Sequence, residues 1–172
     1  MNASKIIGRA AERSRLLSAL QSPDPELVAL YGRRRVGKTF LVRELFRESM
    51  AFELTGLHQE PMKRQLENFA IALRSHFPNI RFSSPSSWLE AFEFLRTSLS
   101  EAPAARGHKR VLFFDEFPWL ETRRSGLLAA FELFWNTFAS QRHDLIVVIC
   151  GSAASWMIRK VIGSKEIGRA HV

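Results

Sequence analysis

Cysteine is almost absent from this chain. Cys150 stands alone, which excludes an internal disulfide framework and fits a reducing compartment. It closes an apolar, strand-like run, where a buried structural thiol is favoured over a reactive one. Long uninterrupted apolar segments are also missing. The longest uniform one, residues 145–150, is far too short to cross a bilayer. The N-terminus has no continuous apolar segment ahead of a small-residue cleavage site, so no secretory signal is read there. A cytoplasmic location with no membrane partner is the expectation. The histidines His58, His76, His108, His143 and His171 show no metal-ligand pairing, and no Cys/His cluster exists. There is no GxSxG signature to support a covalent triad, and there is no internal repeat or low-complexity segment.

What is present is the composition of one globular domain. The chain has 172 residues, 46% hydrophobic and 24% charged, enough for a single sizeable core and few for two. The formal charge is +8, which invites a nucleic-acid partner. Part of that charge, however, sits at Arg33, Arg34, Arg35, Lys38 and Arg43, where a triphosphate would need it. The remainder is scattered, as on an ordinary solvated surface.

The chain is organised around one stretch. An apolar run, Leu27-Val28-Ala29-Leu30-Tyr31, leads into Gly32-Arg33-Arg34-Arg35-Val36-Gly37-Lys38-Thr39-Phe40, and a helical pattern follows. Gly32-x-x-x-x-Gly37-Lys38-Thr39 fits the phosphate-binding P-loop pattern. Glycine at both ends permits positive φ and close backbone approach, so that successive N–H groups can turn toward phosphate oxygens. The helix starting near Lys38 adds its N-terminal partial charge. Lys38 is suited to the β and γ phosphates and Thr39 to Mg²⁺. The alternative is a chance glycine turn before a helix, which the order strand, loop, helix disfavours.

Around it the periodicity predicts alternating strands and helices. Leu16, Leu17 and Leu20 mark a first helix, Ser22-Pro23-Asp24-Pro25 breaks it, and residues 26–31 form the first strand. The helix after the P-loop is expected over residues 39–49 and a second strand over 50–55. Met62, Leu66, Phe69, Ala70, Leu73 and Phe77 mark one amphipathic helix, with Pro61 near its first turn. Ser87 and Glu90 fit a capping box ahead of another, with Trp88, Ala91, Phe92, Leu95 and Leu99 on its apolar face. These aromatic stripes read as core; the later one of Leu127, Phe131, Phe134, Trp135 and Phe138 reads as sheet-covering core or, with part of the protein missing, as a partner interface.

The second chemical signal is Val111-Leu112-Phe113-Phe114-Asp115-Glu116. A buried parallel strand ends in adjacent carboxylates, the place where ligands bind in open α/β sheets. Beside a P-loop, Asp115 is suited to hold Mg²⁺ and Glu116 to orient and deprotonate an attacking water. A loop start or helix cap is the competing explanation. Residues 145–150 form the fourth strand, and Ser152 follows it, either sensing the γ-phosphate or attacking water, or capping a helix over residues 153–162.

Taken together these residues resemble the archaeal-type P-loop ATPases, related to the AAA+ and STAND NTPases. Ile7-Gly8-Arg9-x-x-Glu12 is similar to the family's GRxxE element, residues 31–39 to its Walker A motif, residues 112–120 to its Walker B region, and Cys150-Gly151-Ser152-Ala153 to its sensor-like strand end. The resemblance covers residue 6 to about residue 165 and implies a three-layer αβα fold with a mainly parallel sheet of ASCE-type strand order. The strand carrying Ser152 should lie between the P-loop strand and the Walker B strand. The resemblance also places Gly8 and Arg9 near the nucleotide, and ATP and Mg²⁺ in the site.

Family members typically continue with another strand, an arginine-bearing segment and a C-terminal helical region. The expectation is that this continuation is missing and would carry a protein partner or homo-oligomer contact, with a nucleic-acid role as a family analogy. Residues 167–172, Ile-Gly-Arg-Ala-His-Val, match a translation of the adapter-like string ATC GGA AGA GCA CAC GTC. Residues 1–165 are therefore expected to be the ATPase domain and 166–172 a non-native tail. An edge without its outer strand would leave residues 28–30 unpaired on one side. The leading reading is an ATPase that couples hydrolysis to conformational change. The alternatives are a slowly hydrolysing regulatory switch and, less suited to an Asp-Glu strand end, a small-molecule kinase.

Overall fold

The computed structural model describes residues 9–102, 109–163 and 170–171. Four of its strands are the strand-like runs of the sequence, β1 (Glu26–Tyr31), β2 (Met50–Thr55), β3 (Arg110–Asp115) and β4 (Leu145–Gly151), and a two-residue β5 (Ala170–His171) joins them. They form one sheet in the order β2-β3-β4-β1-β5, with parallel pairing throughout. β4, which leads to Ser152, lies between the P-loop strand β1 and the Asp115 strand β3, as the resemblance implies. β3 and β4 are buried along their whole lengths, which is why they read as unbroken apolar runs rather than alternating ones.

Because successive strand side chains point to opposite faces, the sheet divides its apolar residues between two cores. Val28, Val111, Phe113, Ile146, Val148 and Cys150 face α1 (Ala10–Gln21) and α2 (Lys38–Leu45). Leu27, Ala29, Phe52, Leu54, Leu112, Phe114, Val147 and Ile149 face α3 (Met62–His76), α4 (Trp88–Glu101), α5 (Phe117–Leu120), α6 (Leu127–Thr137) and α7 (Ala154–Met157). The second core is strongly aromatic. Phe92 lies 5.9 Å from Phe114, 5.9 Å from Phe131 and 5.2 Å from Phe134, centroid to centroid, in tilted and edge-on arrangements that favour ring pairs beyond their burial. The aromatic stripes are thus core, and the fold is the three-layer α/β architecture expected of the sequence.

Several local expectations are corrected. α2 ends at Leu45, not residue 49, because Ser49 N donates to Phe46 O in a turn that feeds β2. Pro61, expected near the first turn of α3, is its N-cap. The capping box of α4 forms on one side only: Ser87 Oγ accepts from Glu90 N at 3.2 Å, whereas the Glu90 carboxylate reaches one residue further back to Ser86 N at 2.7 Å. α5 was not anticipated. The helix after β4 splits into α7 and a π-helical turn, Ile158–Ile162. The outer side of β1 is not bare: Leu27 and Val28 pair with Ala170 and His171.

Candidate active site

The chain reverses sharply at the C-terminal end of β1, with Gly32 at φ 145°, Arg35 at φ 60° and Gly37 at φ 81°. The positive values wind the loop into the start of α2, so the P-loop geometry depends on glycine at positions 32 and 37. Residues 33–37 are exposed, whereas Lys38 retains 8% exposure. Its ammonium crosses the loop and donates to Gly32 O and Arg33 O, each at 2.8 Å. An ammonium has three donor hydrogens, so one remains available for a phosphate oxygen. Phe40 and Val36, included with the loop from the sequence, project outward at 49% and 41% exposure.

One hydrogen bond joins the two motifs. Thr39 Oγ1 donates to Asp115 Oδ2 at 2.8 Å, linking the first turn of α2 to the end of β3 across a separation of 76 residues. Asp115 is 5% exposed, and its other oxygen accepts from Glu116 N at 3.0 Å. The hydroxyl and carboxylate are hard oxygen donors of the kind Mg²⁺ takes, together with phosphate oxygens, when a protein supplies only one or two ligands. Among the described residues no group of three or more His, Cys, Asp or Glu residues forms a self-contained metal cage. The arrangement thus fits a cation shared with a nucleotide.

Glu116 is the next turn of the chain. It sits in left-handed backbone geometry, φ 46° and ψ 47°, a conformation costing about 1–2 kcal/mol for a residue with a Cβ. That geometry carries its carboxylate to the end of β4, where Oε2 accepts from Ser152 N at 3.1 Å and Ser152 Oγ at 2.8 Å. Ser152 does not cap a helix: the N-cap of α7 is Ala153, without a side-chain bond. Beneath the site, burial and then the charge of Asp115 push the Cys150 thiol well above its usual range. It is a protonated packing residue. Arg9 lies at the N-terminus of α1, with φ 58°, and α1 packs beside α2. Gly8 lies outside the described residues.

A residue family model for an ATPase domain predominantly from Archaea matches residues 7–172. The chain belongs to that family. This archaeal-type ATPase domain is 23% identical over 161 residues to an uncharacterised protein of Methanocaldococcus jannaschii, covering 94% of this chain and 33% of that protein. Its fold resembles a Walker-type ATPase of Pyrococcus abyssi, with TM-score 0.64, 21% identity, and coverage of 97% of this chain and 52% of that one. It also resembles Cdc6p of Pyrobaculum aerophilum, with TM-score 0.60, 19% identity, and coverage of 98% and 45%. The chain thus spans about a third of the curated relative and about half of these solved structures.

The ATPase domain also contains site-flanking residues that sequence reading missed. Gln65 is fully buried; its Nε2 donates to Leu57 O at 2.6 Å, Glu60 O at 3.3 Å and Trp119 O at 3.1 Å, and its Oε1 accepts from Leu57 N at 2.9 Å. Arg34 stacks over the Trp119 ring, with Cζ 4.8 Å from its centroid. A glutamine beside Leu66 on an apolar helix face was the available signal, since a buried amide must find partners.

Proposed function

We propose that this domain binds ATP with Mg²⁺, hydrolyses its terminal phosphate and couples this reaction to conformational change. The observation that carries the reading is the 2.8 Å bond between Thr39 and Asp115, which makes one site from a phosphate loop and a strand-end carboxylate pair. Lys38 and the loop N–H groups hold the β and γ phosphates, with residues 33–37 and Phe40 lining the nucleotide and Gly8 and Arg9 at its flank. Thr39 and Asp115 would hold the Mg²⁺, which when bound neutralises charge on the phosphates. Glu116 takes a proton from water as the water oxygen bonds to the γ-phosphorus. The bond to the bridging oxygen breaks, and ADP leaves with that electron pair. Ser152 meets the γ-phosphate end of the site through Glu116.

A second reading, a regulatory switch with slow hydrolysis, draws support from the two hydrogen bonds by which Ser152 restrains Glu116. Both donors fall on Oε2 and hold the carboxylate at the end of β4, so a water is met through Oε1 in that fixed pose or after the side chain turns. If the domain stands in a longer protein, as in the relatives it partly covers, protein, homo-oligomer or nucleic-acid contacts belong to that remainder.

Phosphate release from Mg·ATP with no added acceptor tests the reaction class. Lys38→Ala should weaken ATP binding by at least about tenfold, a loss of about 1.4 kcal/mol or more. Unchanged affinity would remove Lys38 from the site, and phosphate transfer only to an added small molecule would make the domain a kinase. Single-turnover rates, with partner capture in ATP and ADP, separate the ATPase from the switch.

A further inference from the structure

The stacked pair Arg34–Trp119 is not explained by phosphate binding alone. Arg34 is exposed, so nothing in packing requires its guanidinium to leave solvent. It nevertheless lies over a ring on the turn that follows the carboxylate pair. The backbone that carries the ring is anchored on both sides. Trp119 N donates to Glu116 O at 2.9 Å, and its carbonyl accepts from buried Gln65 at 3.1 Å. His58 meets its ring edge-on at 4.9 Å. Gly56 leaves no slack beneath it, since a Cβ there would stand 3.0 Å from Trp119 Cβ and 2.6 Å from Glu116 O.

We propose that Trp119 is a positioning residue that holds Arg34 on the Glu116 side of the phosphate loop, where Arg34 supplies, within this chain, positive charge to the transferring γ-phosphoryl group. The inference rests on the ATP-hydrolysis reading. Arginine suits the task because its planar guanidinium stacks on an indole face while its N–H groups remain free to bond phosphate oxygens in plane. Charge spread over the equatorial oxygens is what such an arginine stabilises, and it acts more strongly on the transition state than on bound ADP. Arg34 makes and breaks no covalent bond and carries no proton.

The test measures binding of fluorescently labelled ADP in magnesium buffer, with and without aluminium fluoride, which stands in for the phosphoryl group in flight. Arg34→Ala and Trp119→Leu should weaken the ADP–aluminium fluoride complex by at least about 30-fold and ADP alone by less than about threefold, a modest share of what an arginine finger contributes to rate. Arg34→Lys should restore part of the loss by charge alone, and Trp119→Phe most of it by keeping a ring face. Equal weakening of both complexes would make the pair a structural latch and overturn the proposal. So would an undiminished aluminium fluoride complex in Arg34→Ala, whose exposed position leaves the core intact. Failure of the unmodified chain to bind either nucleotide would instead defeat the ATP reading on which the proposal stands.

Discussion

At the scale of single residues, the site is a set of side chains whose partners are dictated by a few backbone conformations. Left-handed geometry at Glu116 turns its carboxylate toward Ser152, while Asp115, one residue earlier and still in strand geometry, meets Thr39. Adjacent carboxylates thereby acquire separate partners. Cys150 lies below them with 1% exposure, its thiol kept protonated by burial and by the neighbouring negative charge. It should therefore resist a neutral-pH alkylating reagent in the folded protein and react promptly once denaturant opens the core. Mass spectrometry of alkylated peptides checks this, and rapid native labelling would contradict the buried placement.

Elements set the precision with which these residues meet. The loop after β2 is pressed against the start of α5 at Gly56, where an added Cβ would come within 2.6 Å of Glu116 O. Gly56→Ala should destabilise the fold by about 1–3 kcal/mol, the range of overpacking, as a lower urea midpoint with an unchanged slope. At the opposite end of the sheet, Arg110 Nη2 bonds Asp144 Oδ2 at 2.7 Å and Arg142 Nε bonds Oδ1 at 2.8 Å, joining the beginnings of β3 and β4. Burial raises the Asp144 pKa, but hydrogen bonds and charge from Arg142 and Arg110 outweigh it and leave a net lowering. A depressed folded-state value contributes stability above the ordinary carboxylate pKa and loses it as pH falls through the folded value. Urea midpoints between about pH 6 and about pH 3 should fall through this window, and fall less in Asp144→Asn.

These element-level features also show what was legible in the sequence. β1 and β2 match their expected bounds because apolar runs there meet a Pro/Asp breaker, a glycine loop or a polar turn. Residues 46–49 kept a helical pattern that the entry into β2 overrode. α5 escaped notice because four residues are too few to show a helical period, and Pro118 sits where a first helical turn tolerates it. The P-loop and the carboxylate pair were readable as local patterns. Gln65 and Trp119 were not, since their roles depend on β2 lying beside β3.

For the whole molecule, a parallel sheet with β4 between β1 and β3 brings the two motif-bearing strand ends to one edge. Residues 39, 115, 116 and 152 meet there because of that order rather than their spacing in the chain. We propose that ATP is hydrolysed at this edge with Glu116 as the base. The most direct measurement compares ATP binding and phosphate release by the unmodified protein and Glu116→Gln in magnesium. In Glu116→Gln, ATP affinity should stay within about threefold of the unmodified protein while turnover falls by at least about 100-fold, the scale of general-base loss. Unchanged turnover in Glu116→Gln would contradict it.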